Sequence, residues 1–125
     1  MLFRSALERM KQRYTRMLDY AEYTTLFEGW GIGAEGFGGG TINHAWSGGP
    51  LTLLSQKVCG IEPTSPGFRT FKISPQLGSL SEASASLETH YGTIQVSIKK
   101  KGKRMKFDLQ IPEGTSAELD RKSVV

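Results

Sequence analysis

A chain of 125 residues, 38% hydrophobic and 22% charged, has the size of one globular domain, and no stretch approaches the length of apolar sequence a membrane-spanning helix needs. Its formal charge of +4 comes mostly from Arg4–Arg16 and the run Lys99–Arg104, neither interleaved with aromatics, which argues against a groove for single-stranded nucleic acid. The lone cysteine, Cys59, excludes an intrachain disulfide and a cysteine-built zinc site, and its apolar neighbours predict a buried, inert thiol.

Residues 5–20 read as an amphipathic helix. Leu2, Leu7, Met10, Tyr14, Met17 and Leu18 recur at three- and four-residue steps, and Ser5 followed by Glu8 has capping-box spacing, so the helix is expected to begin at Ser5. The charges at Arg4, Glu8 and Arg9 leave no room for the apolar core of a secretory leader. One amphipathic helix cannot bury its own stripe, so this one requires a partner.

Thr24–Trp30 is rich in apolar residues and runs into Gly31–Gly40, where glycine is too frequent for a helix or a regular strand. A second helix is expected from about Asn43 to Lys57, with Ala45, Trp46, Leu51, Leu53, Leu54 and Val58 as core candidates. Gly48, Gly49 and Pro50 should bend or restart it, with Pro50 able to open a new helix.

From Pro63 onward the pattern is that of strands. Phe68–Ile73, Ala83–Leu87, Gly92–Ile98 and Met105–Ile111 alternate apolar with polar residues, and Ser116–Leu119 is a short fifth candidate. Turn residues at Pro66–Gly67, Pro75, Gly78, Lys101–Gly102 and Pro112–Gly114 separate them. Four or five antiparallel strands with one apolar face each predict part of a sandwich, or a sheet packed on helices. Lys99–Arg104 then falls at a hairpin tip. An α part followed by a β part fits the tail of a helical domain joined to a small terminal sheet module.

Groups capable of chemistry collect in the glycine-rich segment and at the start of the second predicted helix: Glu28, Trp30, Glu35, Phe37, Asn43, His44 and Trp46. Carboxylates beside aromatic faces suit a sugar, whose C–H face packs on a ring while its hydroxyls bond polar groups. The same residues admit plainer roles: Glu28 as a capping or solvated carboxylate, His44 as a structural histidine, and both tryptophans as core aromatics. No metal-ligand spacing is present, and no cofactor is expected. Gly31–Gly36 matches GxGxxG only formally, without the strand, helix and distant acid of a dinucleotide site. Ser47 lacks a nucleophile-elbow context.

Three ordered motifs carry more. Thr24-Thr-Leu-Phe-Glu-Gly-Trp30, Asn43-His44, and Gly60-Ile-Glu-Pro-Thr-Ser-Pro-Gly-Phe68 resemble the C-terminal end of the family 78 glycoside hydrolases, the bacterial α-L-rhamnosidases. The family pattern has a Thr-Thr-aliphatic-Trp-Glu stretch, a loop, an Asn-His opening a helix, and a Gly-Ile-x-Pro-x-x-Pro-Gly-Phe exit before a closing β-sandwich. The resemblance implies an α+β chain: residues 1–62 as the last helices of an (α/α)6 catalytic barrel and residues 63–125 as a small antiparallel β-sandwich domain. It implies hydrolysis of terminal α-L-rhamnosides with inversion, with Glu28 the general base that activates water, His44 in the rhamnose pocket and Trp30 on the pocket wall.

It further implies a rhamnose-containing glycoside or polysaccharide as substrate, and a general acid in an upstream part of the barrel that has no counterpart here, so that the isolated chain is inactive. A periplasmic or secreted parent follows from the same resemblance. The sequence departs from the family at Gly29, where many members carry arginine, and in a shorter, more glycine-rich loop between Glu28 and His44. A non-catalytic carbohydrate-binding or structural β-sandwich module is the alternative from another functional class.

Overall fold

A computed structural model of the protein describes residues 2–20, 22–29 and 41–120. The chain divides into two compact units, Met1–Leu51 and Thr52–Val125. Among the described residues no helix is long and apolar enough to cross a membrane.

Helix α1 (Leu2–Leu18) opens the first unit. It runs through Ser5 rather than starting there, because no breaker lies between Leu2 and Ser5 and good helix formers follow on the other side. The stripe Leu7, Met10, Tyr14 and Met17 is partly or fully covered, whereas Leu18 is 77% exposed, contrary to its expected core place. Phe27 is the other anchor of this unit: it is buried, with the rings of Tyr20 and Tyr23 edge-on at 5.5 and 5.9 Å.

The helix expected over residues 43–57 forms as a coil of changing pitch. A 3₁₀ turn (Ala45–Gly48) leads into α2 (Gly49–Leu53) and then into a π turn (Leu54–Val58). Pro50 is the second residue of α2, where a missing N–H costs little because the first-turn donors have no partner within the helix. Of the expected core residues here only Val58 is buried; Trp46 and Leu51 are 67% and 73% exposed. A coil whose residues per turn change from one turn to the next cannot keep a 3.6-residue apolar stripe on one face.

The described residues of the second unit form six strands in two three-stranded sheets. In the first, β1 (Ile61–Pro63) pairs antiparallel with β2 (Thr70–Ile73), and β2 pairs parallel with β6 (Ser116–Leu119). In the second, β3 (Glu82–Thr89), β4 (Gly92–Lys101) and β5 (Arg104–Gln110) form an antiparallel meander. The purely antiparallel set of strands expected from sequence is therefore corrected at β6, which returns beside β2 in the same direction. The α+β class stands, as helices plus two small sheets, and the described residues form no closed barrel.

Alternation places Ala83, Ala85 and Leu87 opposite Ile98, Val96 and Ile94, while Leu109 and Phe107 face Val96 and Ile98 from β5. Ile94, Val96 and Ile98 are fully buried, as are Ile61, Phe71 and Ile73 of the first sheet. With Val58, Cys59, Pro75 and Leu77 they make up the core of this unit. Each large aliphatic side chain so buried contributes about 1.5–3 kcal/mol of transfer free energy. Cys59 lies in that core as expected, and burial pushes its thiol pKa up.

The exit motif after the π turn is shaped by backbone. Gly60 has φ +76°, and a Cβ there would lie 2.2 Å from the carbonyl carbon of Ser74, so only glycine lets these two segments touch. The contact is fixed by Ser74 N–H donating to Gly60 O at 3.0 Å. Gly67 and Phe68 both have positive φ, 69° and 65°, in a tight turn preceding β2. For a bulky residue such as Phe68 that conformation is strained, and its ring leans on buried Phe71 with centroids 6.3 Å apart.

Candidate functional site

The base of the glycine-rich loop is a pair of extended segments, residues 25–28 and 41–44, tied by backbone. Glu28 N–H donates to Thr41 O at 2.9 Å and His44 N–H donates to Leu26 O at 3.0 Å. The Thr25 hydroxyl donates to Ile42 O. The second threonine of the Thr-Thr motif thus acts as a side-chain clamp across the two segments. Ser47, nearly buried, donates through Oγ to Phe27 O at 2.5 Å, and the Tyr14 hydroxyl donates to Ser47 O at 2.9 Å. These bonds attach the Glu28 segment to the 3₁₀ turn and the turn to α1.

Glu28 and His44, sixteen positions apart in sequence, are neighbours in this frame. His44 Nε2 lies 3.9 Å from Glu28 Oε1, too far for a direct hydrogen bond and close enough for Coulombic attraction if the ring is protonated. His44 also caps the 3₁₀ turn, its Nδ1 accepting from Trp46 N–H at 3.4 Å. An accepting Nδ1 puts the proton of the neutral ring on Nε2, the nitrogen that faces Glu28. The Trp46 ring stacks at a tilt on His44 with centroids 4.4 Å apart, and its Nε1–H donates to Glu28 O at 3.1 Å.

The carboxylate of Glu28 is asymmetric. Oε2 accepts from Thr41 N–H at 2.9 Å and lies 3.2 Å from the Thr41 hydroxyl, which is also within reach of Asn43 O. Among the described residues no donor bonds Oε1. The Thr41 backbone bond is the main cause holding the Glu28 pKa below the usual carboxylate range; partial burial opposes it, and the Thr41 hydroxyl and His44 add to it. Glu28, Trp46, Tyr14, Met17, Gly29 and Ser47 line an open cleft of about 380 Å³; His44 lies outside it.

Of the three site residues expected from sequence, Glu28 and His44 come together, and Trp30 lies outside the described residues, as do Glu35, Phe37 and the formal GxGxxG stretch. Trp46, expected in the core, is instead the exposed aromatic beside the carboxylate. Thr41 and Ser47 escaped sequence reasoning as site residues. The only signal for Thr41 was its place as the first non-glycine residue after the loop, where a short polar side chain can bond backbone and carboxylate alike. Among the described residues no group of three or more His, Cys, Asp or Glu side chains could hold a metal ion.

Comparison with known proteins finds relatives over most of the chain. Residues 60–122 match the family model of the bacterial alpha-L-rhamnosidase C-terminal domain. An alpha-L-rhamnosidase of Formosa agariphila is 30% identical over 103 residues, which cover 78% of this chain and 11% of the relative. The structure of alpha-L-rhamnosidase from Dictyoglumus thermophilum superposes with a TM-score of 0.66 at 23% identity, over 82% of this chain and 12% of that one. A GH78 family rhamnosidase of Bacillus sp. GL1 gives 0.64 at 23% identity, over 90% of this chain and 14% of that one. The chain spans about a tenth of the length of the curated relatives it matches. It belongs to the bacterial α-L-rhamnosidases of glycoside hydrolase family 78, and residues 60–122 are its version of their C-terminal domain.

Proposed function

We propose that this chain is the closing part of an enzyme that hydrolyses terminal α-L-rhamnosides with inversion, and that Glu28 is its general base. The observation that carries the reading is the Glu28 carboxylate, whose charged form Thr41 favours through Oε2 while none of the described residues donates to Oε1. An inverting glycosidase needs a carboxylate that takes a proton from water as the water attacks the anomeric carbon. The proton donor to the leaving oxygen stands on the opposite face, with roughly 6.5–9.5 Å between the two carboxyl groups. Oε1, which none of the described residues bonds, is the oxygen assigned to accept that proton.

In this reading His44, whose Nε2 faces the carboxylate, bonds a sugar hydroxyl and steadies the negative charge, and Trp30 is assigned to the pocket wall through the family motif. In this reading residues 1–62 complete the helical barrel of the catalytic domain, residues 63–125 form the sandwich-like terminal domain, and the general acid comes from the remainder of the barrel. The chain by itself is then inactive, its partner being the rest of that barrel, and the enzyme works in the periplasm or outside the cell on rhamnose-containing glycosides.

The test is Glu28→Gln in the full-length enzyme, which keeps the shape of the side chain and removes its basicity. Turnover of an aryl α-L-rhamnoside should fall by roughly 10²–10⁴-fold. Undiminished turnover would take Glu28 out of the mechanism.

A further inference from the structure

The outer face of the second sheet has a charge distribution that the hydrolytic site does not use. Register puts Lys99 directly opposite Lys106 and Lys101 directly opposite Arg104, all four on the solvent face, with Glu82 opposite Lys99 from β3 and Asp108 two positions beyond Lys106. These four cations make no ion pair among the described residues, and with Lys100 and Lys103 they line or adjoin a groove of about 550 Å³. Along β4 the two pairs are about 7 Å apart, two residues of extended chain. The same face continues away from the turn as short hydroxyl and amide groups: Ser84 and Ser97, then Ser86, Gln95 and Gln110, over a second groove of about 410 Å³. Asp108 lies in the middle of that row, and Glu88, bonded to Thr93, ends it.

Like charges directly opposite one another weaken a sheet. Lysines on an edge strand can be explained as protection against edge-to-edge pairing, but Lys99 and Lys101 are on β4, the central strand. Edge protection therefore does not account for them, and the cations are open to an anionic ligand. Nucleic acid would be held by cations together with stacking rings, and this face presents no aromatic side chain. Paired cations leading into a row of hydroxyls and amides instead match a polymer that carries both anions and hydroxyl groups.

We propose that the β4–β5 end of this sheet binds an acidic, carboxylate-bearing polysaccharide, holding the uronate part of a polymer whose rhamnosyl ends the enzyme removes. The second half of that statement rests on the rhamnosidase reading. The first half is tested without any rhamnoside cleavage, so either can fail alone.

The experiment is titration of the 125-residue chain with polygalacturonate at about 0.15 M salt, where long-range attraction between exposed charges is largely screened. Neutral dextran and a single-stranded oligothymidylate serve as comparators. The expected result is binding of polygalacturonate alone, weakened by roughly tenfold or more in the double variant Lys99→Gln/Lys106→Gln. A control of equal net charge, Lys11→Gln/Lys72→Gln, should bind as the parent chain does, and thermal unfolding of the double variant at or above the parent Tm would show that the loss is not one of folding. Equal binding of oligothymidylate, equal weakening in the control, or no weakening in the double variant would each overturn the proposal.

Discussion

Thr41 holds Glu28 twice through the same oxygen, from its backbone N–H and from its hydroxyl, while the Glu28 N–H donates back to the Thr41 carbonyl. The reciprocal arrangement fixes the orientation of the carboxylate across the base of the loop and favours its charged form. A base tuned in this way keeps its activity to lower pH than a free glutamate would. If Glu28 acts as proposed, the acid limb of the kcat/KM profile follows its pKa.

Thr41→Val removes the hydroxyl and leaves the backbone bond. The Glu28 pKa should rise toward the ordinary value, so the acid limb of activity moves to higher pH while the rate on the plateau changes little. A pH–rate profile of the full-length variant checks this. The sign for stability is the same: a carboxylate with a depressed folded-state pKa stabilises above its unfolded pKa, and that contribution is lost as pH falls through the folded one.

His44→Ala should act mainly on KM. Loss of one hydrogen bond to a sugar hydroxyl corresponds to roughly five- to tenfold weaker binding. The variant also removes the acceptor for Trp46 N–H and the surface on which the Trp46 ring stacks. Steady-state kinetics on an aryl α-L-rhamnoside would separate the two parameters, and a fall in kcat with unchanged KM would speak against a pocket role.

Glu28 and His44 were legible from sequence because ordered motifs surround them, not because a carboxylate or an imidazole stands out by composition. Thr41 was not, since its importance depends on two segments meeting across a loop. The strands β3, β4 and β5 could be read from alternation because one face is buried and the other wet. The direction of β6 could not, because a strand of four residues has the same alternation whichever way it pairs. Trp46 and Leu51 were misplaced for a related reason: the expected helix changes pitch between Ala45 and Val58, which turns both side chains out.

Gly60→Ala should destabilise the second unit by about 2–4 kcal/mol, because the new methyl would strike the Ser74–Pro75 backbone and the residue would keep a positive φ. Urea unfolding followed by circular dichroism checks it. A change under about 0.5 kcal/mol, the range of an ordinary surface substitution, would show that the segment can shift.

Ile98→Ala empties a fully buried place on the central strand, where the side chain faces Ala83 on one side and Phe107 on the other. The expected loss is about 2–5 kcal/mol, depending on how far the neighbours close in. The same unfolding experiment measures it. Gln95→Ala, on the wet face of the same strand, should stay within about 0.5 kcal/mol of the parent chain.

The parallel pairing of β2 with β6 has a consequence for the order in which the second unit assembles. Roughly forty residues separate the two partners, so their pairing carries a loop-closure cost that the adjacent hairpins of β3, β4 and β5 do not. The meander can close through its short turns, whereas one side of β2 stays unpaired until Ser116–Leu119 arrives from the far end of the unit. A chain cut short before Ser116 would therefore lose more than its last strand. It would keep an open edge on β2, and its expected failure is association with other copies of itself rather than simple unfolding.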